Sequence, residues 1–328
     1  MQVYSQVSRE ADKGVAINPA SPEIDNFCHE IKAAIAGFGT DEDRLNRVLG
    51  ARSVTERYLI SLRYPQLHKT SLLDDISSET SGDYGKLLQL LAQPLEDAEA
   101  SIIRDATKGS GTSEKLLYPV FGGRTPDELT ILKKAFFKKF QNDLVVVVAD
   151  DIGGDLKKFY LAVLNSFTQP FNPEVHTQHK AEEIAEVLYK AGEGKWGTDE
   201  ATFLNTLLSI PPQFLRAVDA AYVAKHKNNL HRAIEKEFGG DAETAILYHL
   251  NLVLDPINTI VTQFEKTMKG IGTDEYGLSA AIVRYQSILP QIAPAYKAKY
   301  GQSLRDRVYG EVSGDFRKLL IIILENSI

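Results

Sequence analysis

The sequence predicts an all-α fold made of four copies of one unit, each of about five short helices. Self-similarity carries most of that expectation. Four segments echo one another: AGFGTDEDRL at 36–45, KGSGTSEKLL at 108–117, GKWGTDEATF at 194–203 and KGIGTDEYGL at 269–278. Their second glycines, Gly39, Gly111, Gly197 and Gly272, stand 72, 86 and 75 residues apart. Each unit also closes alike, with a short loop ending in Gly-Asp (at Gly82, Gly154, Gly240 and Gly314) that feeds an apolar segment. The second observation is helical spacing of apolar residues, as in Ile24, Phe27, Ile31 and Ile35. The third is the scarcity of strand-like runs.

Taken in order, residues 1–21 are polar, lack the apolar middle of a leader peptide and read as a flexible tail, a candidate meeting point for a protein partner. Repeat one is expected over 22–93 and repeat two over 94–168. LVVVVA at 144–149 is β-like in composition, but its place in the repeat makes it helix. Residues 169–183, with Pro170 and Pro173, form a linker that accommodates the longer middle interval. Repeats three and four follow over 184–256 and 257–328. Within every repeat, Thr40, Thr112, Thr198 or Thr273 is placed to cap the next helix. Acids such as Asp41, Glu114, Asp199 and Asp274 then fall in the first turn, where the helix dipole favours them.

Composition removes several function classes. The 328 residues are 43% hydrophobic, enough for a sizeable core. A net charge of −7 argues against a general nucleic-acid binder, which needs a basic surface. One cysteine, Cys28, allows no intrachain disulfide and no Cys-cluster zinc site, and suits the cytosol. The longest wholly apolar runs, 144–149 and 319–324, are six residues, against the roughly 20 that a spanning helix needs. Any membrane contact is therefore made from the side. His176 and His179 stand three apart but belong to the linker, and no nucleophile–base order, phosphate-binding loop or EF-hand loop appears. Nothing proposes catalysis.

A distant acid completes the pattern. Gly37 to Glu79 and Gly109 to Asp151 are each 42 residues, as is Lys195 to Glu237, while Gly270 to Glu311 is 41. Every acid lies three residues before the second loop's glycine, so the fourth repeat loses its residue upstream, near 283–287. The motif G-x-G-T-[DS]-E, four times over, with this distant acid and the long middle interval, resembles the annexin family over roughly residues 22–328. The resemblance implies a curved disk with calcium loops on its convex face. It implies calcium-dependent, reversible attachment to anionic phospholipid, cytoplasmic until calcium rises.

By that resemblance, Ca²⁺ is held in repeat one by the carbonyls of Ile35, Gly37 and Gly39 and by a bidentate Glu79. The matching sets are Thr107, Gly109 and Gly111 with Asp151; Gly192, Lys195 and Gly197 with Glu237; and Met268, Gly270 and Gly272 with Glu311. Lesser sites are implied at Thr40 and Glu42, Thr198 and Glu200, and Thr273 and Glu275. The chemistry is reasonable for a hard cation: Ca²⁺ takes 6–8 oxygens, so a set of five leaves roughly one to three positions for water or a lipid phosphoryl oxygen. Binding should tighten when lipid completes the shell.

Between the turn positions stand Phe38, Ser110, Trp196 and Ile271. Large apolar side chains at loop tips suit a bilayer interface. For Phe38 and Ile271, folding back onto the core stays equally open; Trp196 is expected outward. An acidic protein is repelled by an anionic leaflet over about a Debye length, ~8 Å in physiological salt, and bound Ca²⁺ reverses the local sign. The resemblance also matches Glu99 and Arg124 to one charged pair of a polar passage, whose other pair is replaced by Pro119 and Ala280. A helical-repeat scaffold for a protein partner, with calcium only structural, is the competing reading.

Overall fold

Every regular element among the described residues of this computed structural model (2–37, 39–108 and 111–328) is helical. Each repeat holds five helices. Repeat one runs through Pro22–Ala34, Glu42–Leu45 prolonged by a π-turn over Asn46–Gly50, Val54–His68, Leu72–Glu79 and Gly82–Leu91. Repeat two has Leu95–Thr107, Glu114–Phe121, Pro126–Phe140, Leu144–Asp151 and Gly154–Leu164. Repeat three has Gln178–Ala191, Glu200–Ser209, Pro212–His226, Leu230–Glu237 and Gly240–Leu254. Repeat four has Pro256–Met268, Glu275–Tyr285, Leu289–Tyr300, Leu304–Glu311 and Gly314–Ser327. The valine-rich run is helix: the Asp143 carboxylate accepts from the N–H groups of Val145 (2.7 Å) and Val146 (3.4 Å), and Val147 and Val148 are buried. A fixed amphipathic context thus overrides the β preference of valine.

The repeats associate as two compact units, one over 103–259 and the other over 3–102 with 260–328. In the first, Phe121, Phe136, Phe159, Tyr160, Phe203 and Tyr222 are wholly buried. In the second, Ile31, Leu45, Tyr64, Phe264, Tyr285 and Tyr296 fill the same role. There the π-turn of repeat one lies against the last helix of repeat four. A Cβ on Gly50 would come within 2.9 Å of Leu319 Cδ1 and 3.0 Å of Ile322 Cγ2, so any larger residue would have to push these side chains aside.

Two expectations need correction. Residues 1–21 are not a free tail: they contain a helix, Gln6–Asp12, and Tyr4 is 2% exposed. The Tyr4 hydroxyl donates to Glu99 (2.5 Å), the Ser8 hydroxyl to Glu96 (3.0 Å), and Arg9 Nη1 to the Tyr4 carbonyl (2.6 Å). Hydrogen bonds to the two buried carboxylates hold this polar segment in place. The linker is shorter than expected, because Thr177 accepts from the Lys180 N–H (3.3 Å) and starts a helix at Gln178, inside 169–183.

The residue missing from repeat four is absorbed where its second helix meets its third. A 3₁₀ turn, Gln286–Ile288, joins them directly, whereas the other repeats have a short loop. The helix that carries Glu311 is eight residues long, as are those carrying Glu79, Asp151 and Glu237. The acid's local setting is thereby preserved.

Candidate functional site

Each first loop is closed by one backbone hydrogen bond. Asp41 N–H donates to the Ala34 carbonyl (2.8 Å), Ser113 to Ala106 (2.8 Å), Asp199 to Ala191 (2.7 Å) and Asp274 to Thr267 (2.8 Å). The span is seven residues in repeats one, two and four and eight in repeat three. That extra residue explains why Lys195 stands where the other loops have glycine. In repeats one and four both glycines turn left-handed, Gly37 and Gly39 with φ of +104° and +88° and Gly270 and Gly272 with +119° and +85°, and Gly197 has +78°, whereas Gly111 and Gly192 stay outside that region. Side chains resist that region, whereas glycine enters it freely. Ile35, Thr107, Gly192 and Met268, at the ends of the preceding helices, are buried; Gly37, Gly39, Gly111, Lys195, Gly197, Gly270 and Gly272 are exposed. Gly109 and Phe38 lie outside the described residues.

The threonines do not cap the next helix. Asp41, Asp199 and Asp274 cap instead, each accepting an N–H from three residues on (Arg44 2.9 Å, Thr202 3.1 Å, Gly277 3.0 Å). One residue earlier, the threonine hydroxyl faces the second loop. Thr40 donates to the Glu79 carbonyl (3.1 Å) and Thr112 to the Asp151 carbonyl (3.1 Å). Thr198 donates to the Glu237 carboxylate (2.5 Å) and Thr273 to the Glu311 carboxylate (3.2 Å). All four loop pairs predicted from sequence are therefore joined, although by a contact that sequence spacing did not anticipate. Where the hydroxyl takes the backbone oxygen, the Glu79 and Asp151 side chains are exposed; where it takes the carboxylate, Glu237 and Glu311 are half-buried.

Each acid is the last residue of its helix, not the first charge of the next. That position is electrostatically poor, since the C-terminal end of a helix already carries partial negative charge and favours cations. Each repeat thus places a carboxylate and a helix C-terminus, both negative in character, beside its first loop. In repeat three the two halves touch: a Cβ on Gly192 would lie 3.0 Å from Glu237 Cγ. Glu193 anchors the same loop, accepting from Tyr222 (2.8 Å), Asn228 (2.8 Å) and Lys236 (2.5 Å). Among the described residues no three His, Cys, Asp or Glu side chains gather as a metal cage. Any ion here is held mainly by main-chain oxygens, and the donor set is all oxygen, which suits Ca²⁺.

Repeat four supplies a direct measure of how the donors converge. Arg307 Nη2 donates to the Met268 carbonyl at 2.6 Å, and Nη1 donates to the Glu311 carboxylate. One cation already spans a loop carbonyl and the distant acid. The sequence signal was Arg307 four residues before Glu311 on one helix, an (i, i+4) pair. Glu79 and Glu311 also line one cavity of about 490 Å³ with Glu42, Asp83, Glu275 and Asp315. The loops of repeats one and four thus open to the same side of their unit. Glu200 is engaged by Lys158 (3.4 Å). Of the apolar tips, Trp196 and Ile271 are fully exposed, at 103% and 110%.

Glu99 receives the Tyr4 hydroxyl and pairs with Arg284, while Arg124 lies 3.3 Å from Glu128. No helix among the described residues is long and apolar enough to cross a membrane.

The same fourfold pattern is found in known proteins. The annexin family model matches residues 26–91, 96–163, 183–248 and 261–323. Human annexin A13 is 34% identical over 311 residues, covering 94% of this chain and 98% of its own. Annexin A7 of Dictyostelium discoideum is 33% identical over 299 residues, covering 90% of this chain, which spans 63% of that longer relative. Among solved structures, annexin III superposes with a TM-score of 0.86 at 28% identity, covering 93% of this chain and 95% of its own. A calcium-bound annexin (Sm)1 gives 0.78 at 25% identity, covering 92% and 90%. Four family-model matches that coincide with the four joined loop pairs, together with relatives above 30% identity over nearly the whole chain, place this protein in the annexin family.

Proposed function

We propose that this chain attaches reversibly to anionic phospholipid membranes when calcium rises, through four loop sites that each combine main-chain carbonyls with one distant carboxylate. The observation that carries the reading is the joining of every first loop to its acid, at a helix end where a carboxylate is unfavourable without a cation. The ligand sets are those set out from the sequence: Ile35, Gly37, Gly39 and Glu79; Thr107, Gly109, Gly111 and Asp151; Gly192, Lys195, Gly197 and Glu237; Met268, Gly270, Gly272 and Glu311. Bound Ca²⁺ supplies positive charge and open coordination positions that lipid phosphoryl oxygens complete.

The chain's own residues do the remainder. The threonine hydroxyls hold the loops in register with the acids before any ion arrives. Trp196 and Ile271, exposed at the loop tips, add apolar area on contact with a bilayer, each on the order of 1.5–3 kcal/mol if fully buried. Similarity to a solved calcium-bound annexin supports the choice of ion. The protein works from the cytoplasm and is peripheral on the membrane.

A calcium titration, first without lipid and then with vesicles containing phosphatidylserine, tests the proposal. Apparent calcium affinity should rise at least several-fold with vesicles, and chelator should release the protein. Equal affinity in both conditions would instead favour the helical scaffold with structural calcium.

A further inference from the structure

We infer that Arg307 is a resident counter-cation of the repeat-four site, which calcium must displace, so that this site fills last. The inference rests on the calcium reading of Met268 and Glu311 given above. Arg307 donates to the Met268 carbonyl at 2.6 Å and to the Glu311 carboxylate, and its Nε lies 3.4 Å from Glu265. Two of those three oxygens belong to the proposed calcium set. An ion at 2.3–2.6 Å from the same carbonyl would face the guanidinium at close range, and like charges in one partly buried site repel.

The arrangement is particular to repeat four. Counting four residues back from the acids of the other repeats reaches Asp75, Val147 and Ala233, none of them cationic. A guanidinium does not give up its proton in a protein, so the side chain keeps its charge. It also has somewhere to go, being 23% exposed, at the surface rather than sealed in the core. Glu265 remains satisfied when it leaves, because the Tyr296 hydroxyl donates to the same carboxylate. The exchange of one cation for another at fixed oxygens makes repeat four a higher threshold in calcium than the other three repeats, where no such cation must leave.

The opposite role is also definite: Arg307 could orient Glu311 for the ion, and its loss would then weaken binding. The two separate in the full chain carrying Glu79→Gln, Asp151→Asn and Glu237→Gln, which leaves repeat four as the one principal site with its carboxylate, titrated calorimetrically with calcium chloride and no lipid. Adding Arg307→Gln should tighten binding about tenfold, the order expected when a charge-assisted hydrogen bond no longer has to be broken first. Arg307→Lys, which keeps the charge but cannot fork across carbonyl and carboxylate, should fall between. Far-UV circular dichroism and calcium-free unfolding establish that each variant folds; Arg307→Gln should be less stable without calcium and gain more stability on its addition. Unchanged or weaker binding in Arg307→Gln overturns the inference. Should Glu311→Gln in the same background leave the calcium heat intact, Glu311 is no ligand, and the site reading falls together with the inference, a distinguishable failure.

Discussion

The Thr198 hydroxyl donates to the Glu237 carboxylate at 2.5 Å, joining two loops 39 residues apart in sequence. The bond has consequences without any ion. It is charge-assisted and half-buried, so removing the hydroxyl by Thr198→Val should cost about 1 kcal/mol in chelator. Thr40→Val, which breaks a bond only to the Glu79 carbonyl, should cost less. Urea midpoints of the two variants measure the difference. Equal losses would mean that the carboxylate contact adds nothing.

Trp196 is the only tryptophan in the chain and is fully exposed. Its emission should therefore resemble that of indole in water, and calcium with anionic vesicles should shift it to shorter wavelength. Calcium alone should not produce the full shift. Trp196→Ser should lower vesicle affinity about tenfold or somewhat more, in line with the burial of one large side chain.

Glu96 gives a pH signature. Burial pushes its carboxyl up to about 7, with the nearby charges of Asp97 and Glu99 adding to the effect against the Ser8 hydrogen bond. A carboxyl raised in the folded state holds its proton longer there than in the unfolded chain. Its contribution to stability is thus complete below the ordinary carboxylate range and declines as pH rises toward 7. Glu96→Gln should be more stable than the parent protein at pH 8, by about 3 kcal/mol at most, and should match it near pH 4. Thermal unfolding at the two pH values reads the sign.

The third helix of each repeat ends at a left-handed residue: Lys69 (φ +64°), Gln141 (+55°), Lys227 (+68°) and Gly301 (+73°). Only the fourth repeat uses glycine there. Lys227→Gly should stabilise by up to about 1 kcal/mol, less the entropy that glycine adds to the unfolded chain. A denaturant midpoint lower than the parent's would show that the Lys227 side chain contributes more than the strain costs.

The helices and the pairing of each loop with its acid were legible because both repeat. A contact made four times leaves four spacings in register, and 42, 42, 42 and 41 residues between loop and acid is such a trace. What was not legible depends on a single side-chain direction. Thr40 and Asp41 are both good caps by type, and only the closed loop decides that Asp41 caps while Thr40 faces Glu79. Arg307 occurs in one repeat, so self-similarity hides it. The docking of Tyr4 and Ser8 onto Glu99 and Glu96 joins residues 95 and 88 positions apart once each, without a recurring pattern to expose it.

Glu79 and Glu237 bear the central claim, and replacing both by glutamine tests it most directly. The change preserves volume while removing the charge at two helix C-termini, so calcium-free stability should hold or rise slightly, by about 0.3–1 kcal/mol per site at most. Co-sedimentation with phosphatidylserine vesicles across a calcium series should then require at least several-fold more calcium, with residual binding through repeats two and four because multivalent attachment weakens stepwise. A double variant that sediments at the parent's calcium concentration would contradict the assignment of these carboxylates as calcium ligands.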